Sequence, residues 1–300
     1  MINWVIFALL APVIYTGVNF VDKYIVEKEV KDYRGMPIYG TIMGFIMGTI
    51  FWILTGFPTL NLFDTSILLL TGAITIWAAA LYFKAISMED TSKIILLFQM
   101  TPILVLIMSY IFLDERISIQ QLSGFILILG AVVGVSDNIK RGAFQLSKAF
   151  WLVLVVDFMW AISAILIKFS INENSFSQVL SYESWGLGLG GLLLYIFFPG
   201  IRNSFNYSIK TVRKSALVIM FGNEGLFVFG KSLQFFAYSL GNAALVSIIG
   251  STQVFIGIIV GIVLTIFVPQ IIKENITKKV LIKKLILAGV MFIGLVLIGS

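Results

Sequence analysis

The sequence contains no cysteine and no histidine. Without cysteine there are no disulfides, no thiolate metal sites and no thiol nucleophile. Without histidine the commonest metal ligand is missing, and so is the one side chain that titrates near neutrality unperturbed. Charge is scarce as well. Charged residues make up 12% of the 300 positions, against about a quarter in soluble domains. No HExxH motif, no paired-aspartate motif for a diphosphate–metal site and no nucleotide-binding loop is present, and the adjacent acids Glu89 and Asp90 stand in a turn. These absences argue against an intramembrane enzyme, a bound metal or cofactor, and ATP-driven pumping within this chain. No separate soluble domain fits between the apolar runs, which argues against a sensor or scaffold, and no filter-like segment suggests a channel.

What is present is apolar. The chain is 59% hydrophobic, with a mean hydropathy of +1.02. A bilayer core needs about 20 apolar residues per helix, and ten such segments can be marked: 4–21, 38–56, 65–84, 93–112, 119–137, 150–169, 179–198, 215–236, 243–267 and 282–299. The expected fold is therefore an all-α polytopic membrane protein with ten transmembrane helices. The first segment has no basic region before it and no small-residue cleavage site after it, so it reads as a retained span. The longest connections, 22–37, 199–214 and 268–281, are charged.

Lysine and arginine set the expected orientation. Eighteen of them fall in one set of connections, centred on 22–37, 84–93, 138–149, 199–214 and 268–284, whereas the opposite set holds Arg116 and Lys168. The positive-inside rule places the rich set in the cytoplasm and both termini outside, in a plasma membrane. The net charge of +6 then reflects loops facing an anionic leaflet, with no nucleic-acid partner implied.

The two halves repeat. YTGVNFVDK (15–23) and WAISAILIK (160–168) each carry an aromatic eight residues before a lysine; AISMEDTS (85–92) parallels AYSLGNAA (237–244); LGAVVGV (129–135) parallels IGLVLIG (293–299). Five helices per half is an odd number, so the second copy enters the membrane from the opposite side. The loop after the first segment is strongly basic, while 170–178, after the sixth, has neither lysine nor arginine. Two inverted five-helix repeats, 1–140 and 141–300, are expected, a plan common among secondary transporters.

LYFKAIS (81–87), Pro102 within TPILVLIMSYIFLDERIS, Glu115 in its DER turn and QLSGFILILGAVV (121–133) together resemble EamA-type members of the drug/metabolite transporter superfamily. The likeness covers nearly the whole chain and is best in the first half. In the second, Val254 stands where Pro102 would recur, so a kink is expected in the fourth helix and not in the ninth. The resemblance implies a pathway lined by helices one to four and six to nine, with five and ten as outer supports. It also makes Glu115 a recurrent residue, read here as a cap starting the fifth helix.

Several residues are candidates for the pathway. Asp157, Glu183, Glu224 and Lys231 interrupt apolar helices, and a charge at bilayer depth costs about 2.5–3.5 kcal/mol, so it usually faces a partner or a cavity. Lys231 stands seven residues after Glu224, about 10 Å along the same face. Glu183 is expected at the depth of Lys231 and is the favoured partner. Glu224 is then left without a permanent counter-charge, where a proton and a substrate ammonium could compete. Asp22 and Lys23 read as interfacial. Gln99, Asn223, Ser251, Thr252 and Gln253 add neutral polar groups at mid-depth. Trp77, Tyr82, Trp160, Trp185 and Phe229 are candidate walls. Pro102 removes a backbone bond and frees the Phe98 carbonyl beside Gln99. Gly40, Gly44 and Gly48, Gly130 and Gly134, and Gly257 and Gly261 recur every fourth residue, as close helix packing requires. Mixed acids, one lysine, amides and aromatics suit a small zwitterion with an apolar side chain, pointing to export of amino acids or related amphipathic compounds. Export of cationic drugs through Glu183 and Glu224 is the alternative. Protons are the candidate coupling ion, and nothing in the sequence sets an oligomeric state.

Overall fold

A computed structural model describes residues 3–89, 91–135, 148–267 and 278–299, which are helical nearly throughout and contain no strand. Helix α1 (Asn3–Tyr24) runs on as a π-turn over Ile25–Glu29, and a 3₁₀ turn at Tyr33–Gly35 leads into α2 (Pro37–Leu54). There follow α3 (Leu62–Ile86), α4 (Thr91–Leu97), α5 (Met100–Phe112) and α6 (Ile119–Val135). The second half holds α7 (Lys148–Glu173), α8 (Phe176–Phe197), α9 (Pro199–Thr211), α10 (Lys214–Leu240), α11 (Ala243–Gly250), α12 (Gln253–Phe267) and α13 (Lys278–Gly299). Among the described residues six helical stretches are long and apolar enough to cross a bilayer, or seven if the bent pair α8–α9 counts as one. Met100–Phe112, Ile119–Ala131 and Leu285–Ile298 are shorter apolar helices. The chain is a multi-pass membrane protein. The 140/141 boundary and most of the basic loops at 138–149 and 268–281 lie outside the described residues.

Two of the expected helices are broken at mid-length. The fourth divides at Phe98–Gln99, where the Phe98 carbonyl freed by Pro102 accepts instead from the Thr101 N–H at 3.0 Å. The ninth, for which no kink was expected, divides at Ser251–Thr252. No proline is needed there, because a run of short i→i+3 bonds tightens the backbone: Ser251 N–H to Ile248, Thr252 N–H to Ile249, Val254 N–H to Ser251, each 3.0–3.1 Å.

The described connections meet in two groups. At one end the 3₁₀ turn docks on α9: Gly35 N–H donates to Ser204 Oγ, which donates to the Asp32 carbonyl, both at 2.9 Å. Tyr39 and Ser208 share a hydroxyl bond, and Arg213 pairs with Glu29. Residues 199–211, expected as a charged connection, thus form an amphipathic helix turned 102° from α8. At the other end the turn at 113–118 meets Asn242 and Ala243, and Pro58 accepts from both Trp52 and Tyr182.

The lysines that close the repeated motifs have equivalent jobs. Lys23 Nζ donates to the carbonyls of Ile86 (2.9 Å) and Glu89 (3.0 Å). Lys168 Nζ donates to those of Tyr238 (2.7 Å) and Gly241 (2.9 Å). Laying AISMEDTS over AYSLGNAA puts Ile86 on Tyr238 and Glu89 on Gly241. Lys23 therefore caps the C-terminal end of α3 and Lys168 that of α10, where carbonyls lack intrahelical donors. Glu115 does not cap α6. It reaches across to accept from the Ala243 N–H, 2.8 Å, and lies 3.8 Å from Lys168 Nζ. Burial pushes its carboxyl above the ordinary glutamate range, while the Ala243 and Ala244 N–H groups and Lys168 oppose that shift.

Helix α8 is wedged between α2 and α3 through glycine. A Cβ on Gly72 would lie 2.0 Å from the Glu183 carbonyl, and one on Gly186 would lie 2.3 Å from that of Leu69. On the other face Gly44 and Gly48 meet the backbone at Ser184 and Ser181, and Ser181 Oγ donates to the Gly48 carbonyl. The Gly40–Gly44–Gly48 stripe thus serves packing at its last two positions. Helices α6 and α13 cross at Gly124 and Gly294, whereas Gly130, singled out from its spacing, has nothing within 4 Å. Hence Gly72→Ala should destabilise the protein by about 1–3 kcal/mol through backbone overpacking, and Gly130→Ala should leave it unchanged or slightly steadier. Thermal unfolding in detergent measures both; equal effects would contradict the close α3–α8 contact.

Candidate functional site

A central cavity of about 230 Å³ lies between the two halves of the chain. Its walls come from α1, α2, α3, α7, α8 and α10 and from the two broken helices, and among the described residues α6 and α13 contribute nothing to it. Those two are outer supports, as the resemblance implied.

One pole of the cavity is a buried ion pair. Lys231 on α10 bonds the Glu183 carboxylate on α8, and its ammonium lies 3.3 Å from Ser184 Oγ and 5.8 Å from the centre of the Phe235 ring. Glu183 and Lys231 are 0% and 3% exposed, so neither reaches bulk water. The Gly72 contact fixes where Glu183 stands, because α8 could not approach α3 so closely over a larger residue. Glu183 Oε1 has no hydrogen-bond partner among the described residues.

The other pole is acidic. Asp22, expected at the interface, is buried at 4% exposure on the cavity wall. It accepts from Tyr82 Oη at 3.0 Å and from Asn223 Nδ2 at 2.8 Å. The expectation failed because the helix does not stop at Asp22: α1 runs to Tyr24 and on through the π-turn at Ile25–Glu29. Glu224 lies beside this cluster. Among the described residues it makes no hydrogen bond or ion pair, and its carboxylate rests over Gly40, where a Cβ would come within 2.9 Å of Oε2. Gly40 is therefore a space for a carboxylate as well as part of a packing stripe.

Between the poles Tyr82, Phe98 and Trp160 form an aromatic wall with ring centres 5.0–6.3 Å apart. The breaks in the fourth and ninth helices supply Gln99, Ser251 and Gln253. Gln99 Nε2 donates to the Ile95 carbonyl; among the described residues its Oε1 has no partner, nor do Ser251 Oγ and Thr252 Oγ1. Pro12, passed over in the sequence, also lines the cavity from the middle of α1.

Other expected wall residues lie elsewhere. Asn223 stands behind Asp22. Asp157 is fully buried against the break in the fourth helix, accepting from Thr101 at 2.8 Å, and does not reach the cavity. Trp77 donates to the Gly190 carbonyl at the α3–α8 contact. Trp185 packs with Trp52 and Tyr182 near the 55–61 turn. Phe229 is 53% exposed, on the outer face of α10. Each aromatic is at cavity depth in sequence, but helix rotation, which hydropathy does not report, turns it away. Among the described residues no cluster of acids could hold a metal ion.

The family model described as EamA-like transporter family matches residues 2–137. A solved structure described only as a crystal structure of a protein shares the fold, with a TM-score of 0.63 over 95% of this chain and 98% of its own, at 12% identity. No curated protein matches the chain.

The buried pair yields a quantitative expectation. Removing one partner strands a charge and costs about 3–5 kcal/mol, whereas removing both is far milder. Glu183→Gln and Lys231→Met should each lower stability strongly, and the double variant should recover much of the loss in a double-mutant cycle. Additive losses would show that the two charges do not depend on each other.

Proposed function

With residues 2–137 belonging to the EamA-like transporter family, we propose that the chain is a secondary transporter that exports amino acids or related amphipathic compounds by alternating access. Membrane transport of small molecules follows from the family; the narrower reading rests on the cavity. Its carrying observation is Glu224, a carboxylate without a partner among the described residues, in a chamber whose other charges are Asp22 and the mutually paired Glu183 and Lys231. A substrate ammonium would sit at the Asp22–Glu224 pole and an apolar side chain against Tyr82, Phe98 and Trp160. A volume near 230 Å³ is below the roughly 300–1,000 Å³ of drug-sized sites, which favours a small metabolite. Neutralisation of Lys231 by Glu183 is the one feature that favours the second reading, a cationic drug, since it leaves the cavity net acidic.

The architecture behind this reading is ten spans in two inverted five-helix halves, 1–140 and 141–300. Three observations support it. Lys23 and Lys168 bond equivalent carbonyls. The fourth and ninth helices break at equivalent places. Helix α1 packs on α10 as α7 packs on α3. Both termini lie outside a plasma membrane in this reading, with α9 on the cytoplasmic face. A single cysteine at Asn203, exposed on α9, should resist an impermeant thiol reagent in intact cells and react after lysis; reaction without lysis would reverse the orientation.

Protons are the proposed coupling ion, exchanging with the substrate ammonium at Glu224. Comparing metabolites of cells with and without the protein identifies a compound to follow, and its uptake into vesicles gives the assay. Glu224→Gln, near-isosteric, should abolish proton-driven accumulation while keeping downhill exchange. Full proton-driven accumulation in that variant at equal expression would remove Glu224 from the mechanism.

A further inference from the structure

A second depression, of about 780 Å³, opens on the flank of the molecule among α3, α7, α8 and the α8–α9 elbow. Its mouth is basic. The ammonium of Lys84, exposed in the last turn of α3, has no hydrogen-bond or ion-pair partner among the described residues. Arg34 commits Nε and Nη2 to Asp32 and leaves Nη1 without a hydrogen bond among those residues. Its floor is apolar. Trp77 lies seven residues before Lys84 on the same helix, about 10 Å deeper, facing Met159 and Leu193 across the groove. Phe197 is 70% exposed at the rim, where α9 turns off across the surface.

We propose that this groove binds an anionic phospholipid, with the phosphodiester at Lys84 and Arg34 and an acyl chain laid along Trp77 toward the bilayer centre. Charge and depth both argue for it. A cation pair at the level of the helix end, above an apolar slot open to hydrocarbon, matches a lipid's head and tail in order and spacing. Basic recesses between spans are suited to anionic head groups. A soluble anion would have no use for the apolar floor, and a neutral lipid would leave Lys84 uncompensated. The site is separate from the central cavity: Trp77, turned away from that cavity, forms the floor of this one.

Native mass spectrometry of the full-length protein, with phosphatidylglycerol or phosphatidylcholine added, tests the assignment without any transport assay, so its outcome is independent of the proposed substrate. The unsubstituted protein should retain phosphatidylglycerol in preference to phosphatidylcholine. Lys84→Gln should weaken that retention about fivefold, the effect of one surface cation on an anionic lipid. Ala80→Phe should weaken it at least as much by filling the slot without altering charge. Lys210→Gln, on α9 outside the groove, should not change it. Equal retention of the two lipids, undiminished retention in Lys84→Gln, or an equal loss in Lys210→Gln would overturn the site. Lys84→Gln alters only an exposed side chain, so the test stands even if Ala80→Phe fails to fold.

Discussion

In hydrocarbon every backbone N–H and carbonyl has to find a partner inside the protein. A chain of unbroken helices meets that demand by itself, and this chain does not consist of unbroken helices. It interrupts two of them at mid-length and leaves carbonyls open at the ends of α3 and α10. The carbonyls released at those places are answered one by one. Phe98 is taken by the Thr101 N–H, Ile95 by the Gln99 amide, and the ends of α3 and α10 by Lys23 and Lys168. The two lysine side chains are thus largely buried, with carbonyl dipoles and a nearby acid compensating each ammonium.

The same answers build the cavity. Where a helix is tightened into i→i+3 turns its side chains splay. Gln99 and Ser251 then line a space that continuous helices would have closed with Leu and Ile. Glycine does the complementary work. Gly72 and Gly186 bring α8 so near α3 that Glu183 stands at the depth of Lys231, and Gly40 makes room for Glu224. Close packing in one layer and polar space in the next are therefore one design: the wedge of α8 fixes the ion pair, and the ion pair leaves Glu224 as the uncompensated acid.

Much of this was legible in the sequence, for physical reasons that also mark where legibility stops. Apolar run length and lysine bias identify a membrane chain and sort its connections, because both respond to the bilayer and not to packing. The Lys231–Glu183 pair could be read because two isolated opposite charges at one depth have few other solutions. Helix rotation could not be read: Trp77, Trp185 and Phe229 sit at the right depth on the wrong faces. The break at Ser251–Thr252 was hidden because proline is one cause of a break, and here short backbone turns achieve it beside Gly250. Asp22 misled because its place near the end of the apolar run suggested a surface position, and α1 continues beyond it. The adjacent pair Asn223–Glu224 and the spacing of Asn19 and Asp22 were the available hints of a polar cluster.

The equivalent lysines differ in their acids, and that difference separates the two ends of the molecule. Lys23 takes Glu27 from its own helix, one turn on, at 2.9 Å. Lys168 takes Glu115 from the opposite half of the chain, in a half-buried turn that also holds the first N–H of α11. Parting the halves at that end would strand Glu115 away from both a lysine and a helix N-terminus. At the other end the halves meet through Gly35–Ser204, Tyr39–Ser208 and the ion pair Glu29–Arg213. The Arg213 side chain of that pair is exposed while that of Glu29 is buried, so water reaches one partner, and it can replace hydroxyl bonds as they open. The end bearing Glu115 therefore ties a lysine and the start of α11 to one carboxylate, beside the Asn242–Arg116 and Tyr182–Pro58 bonds, whereas the other end rests on hydroxyl bonds and one ion pair.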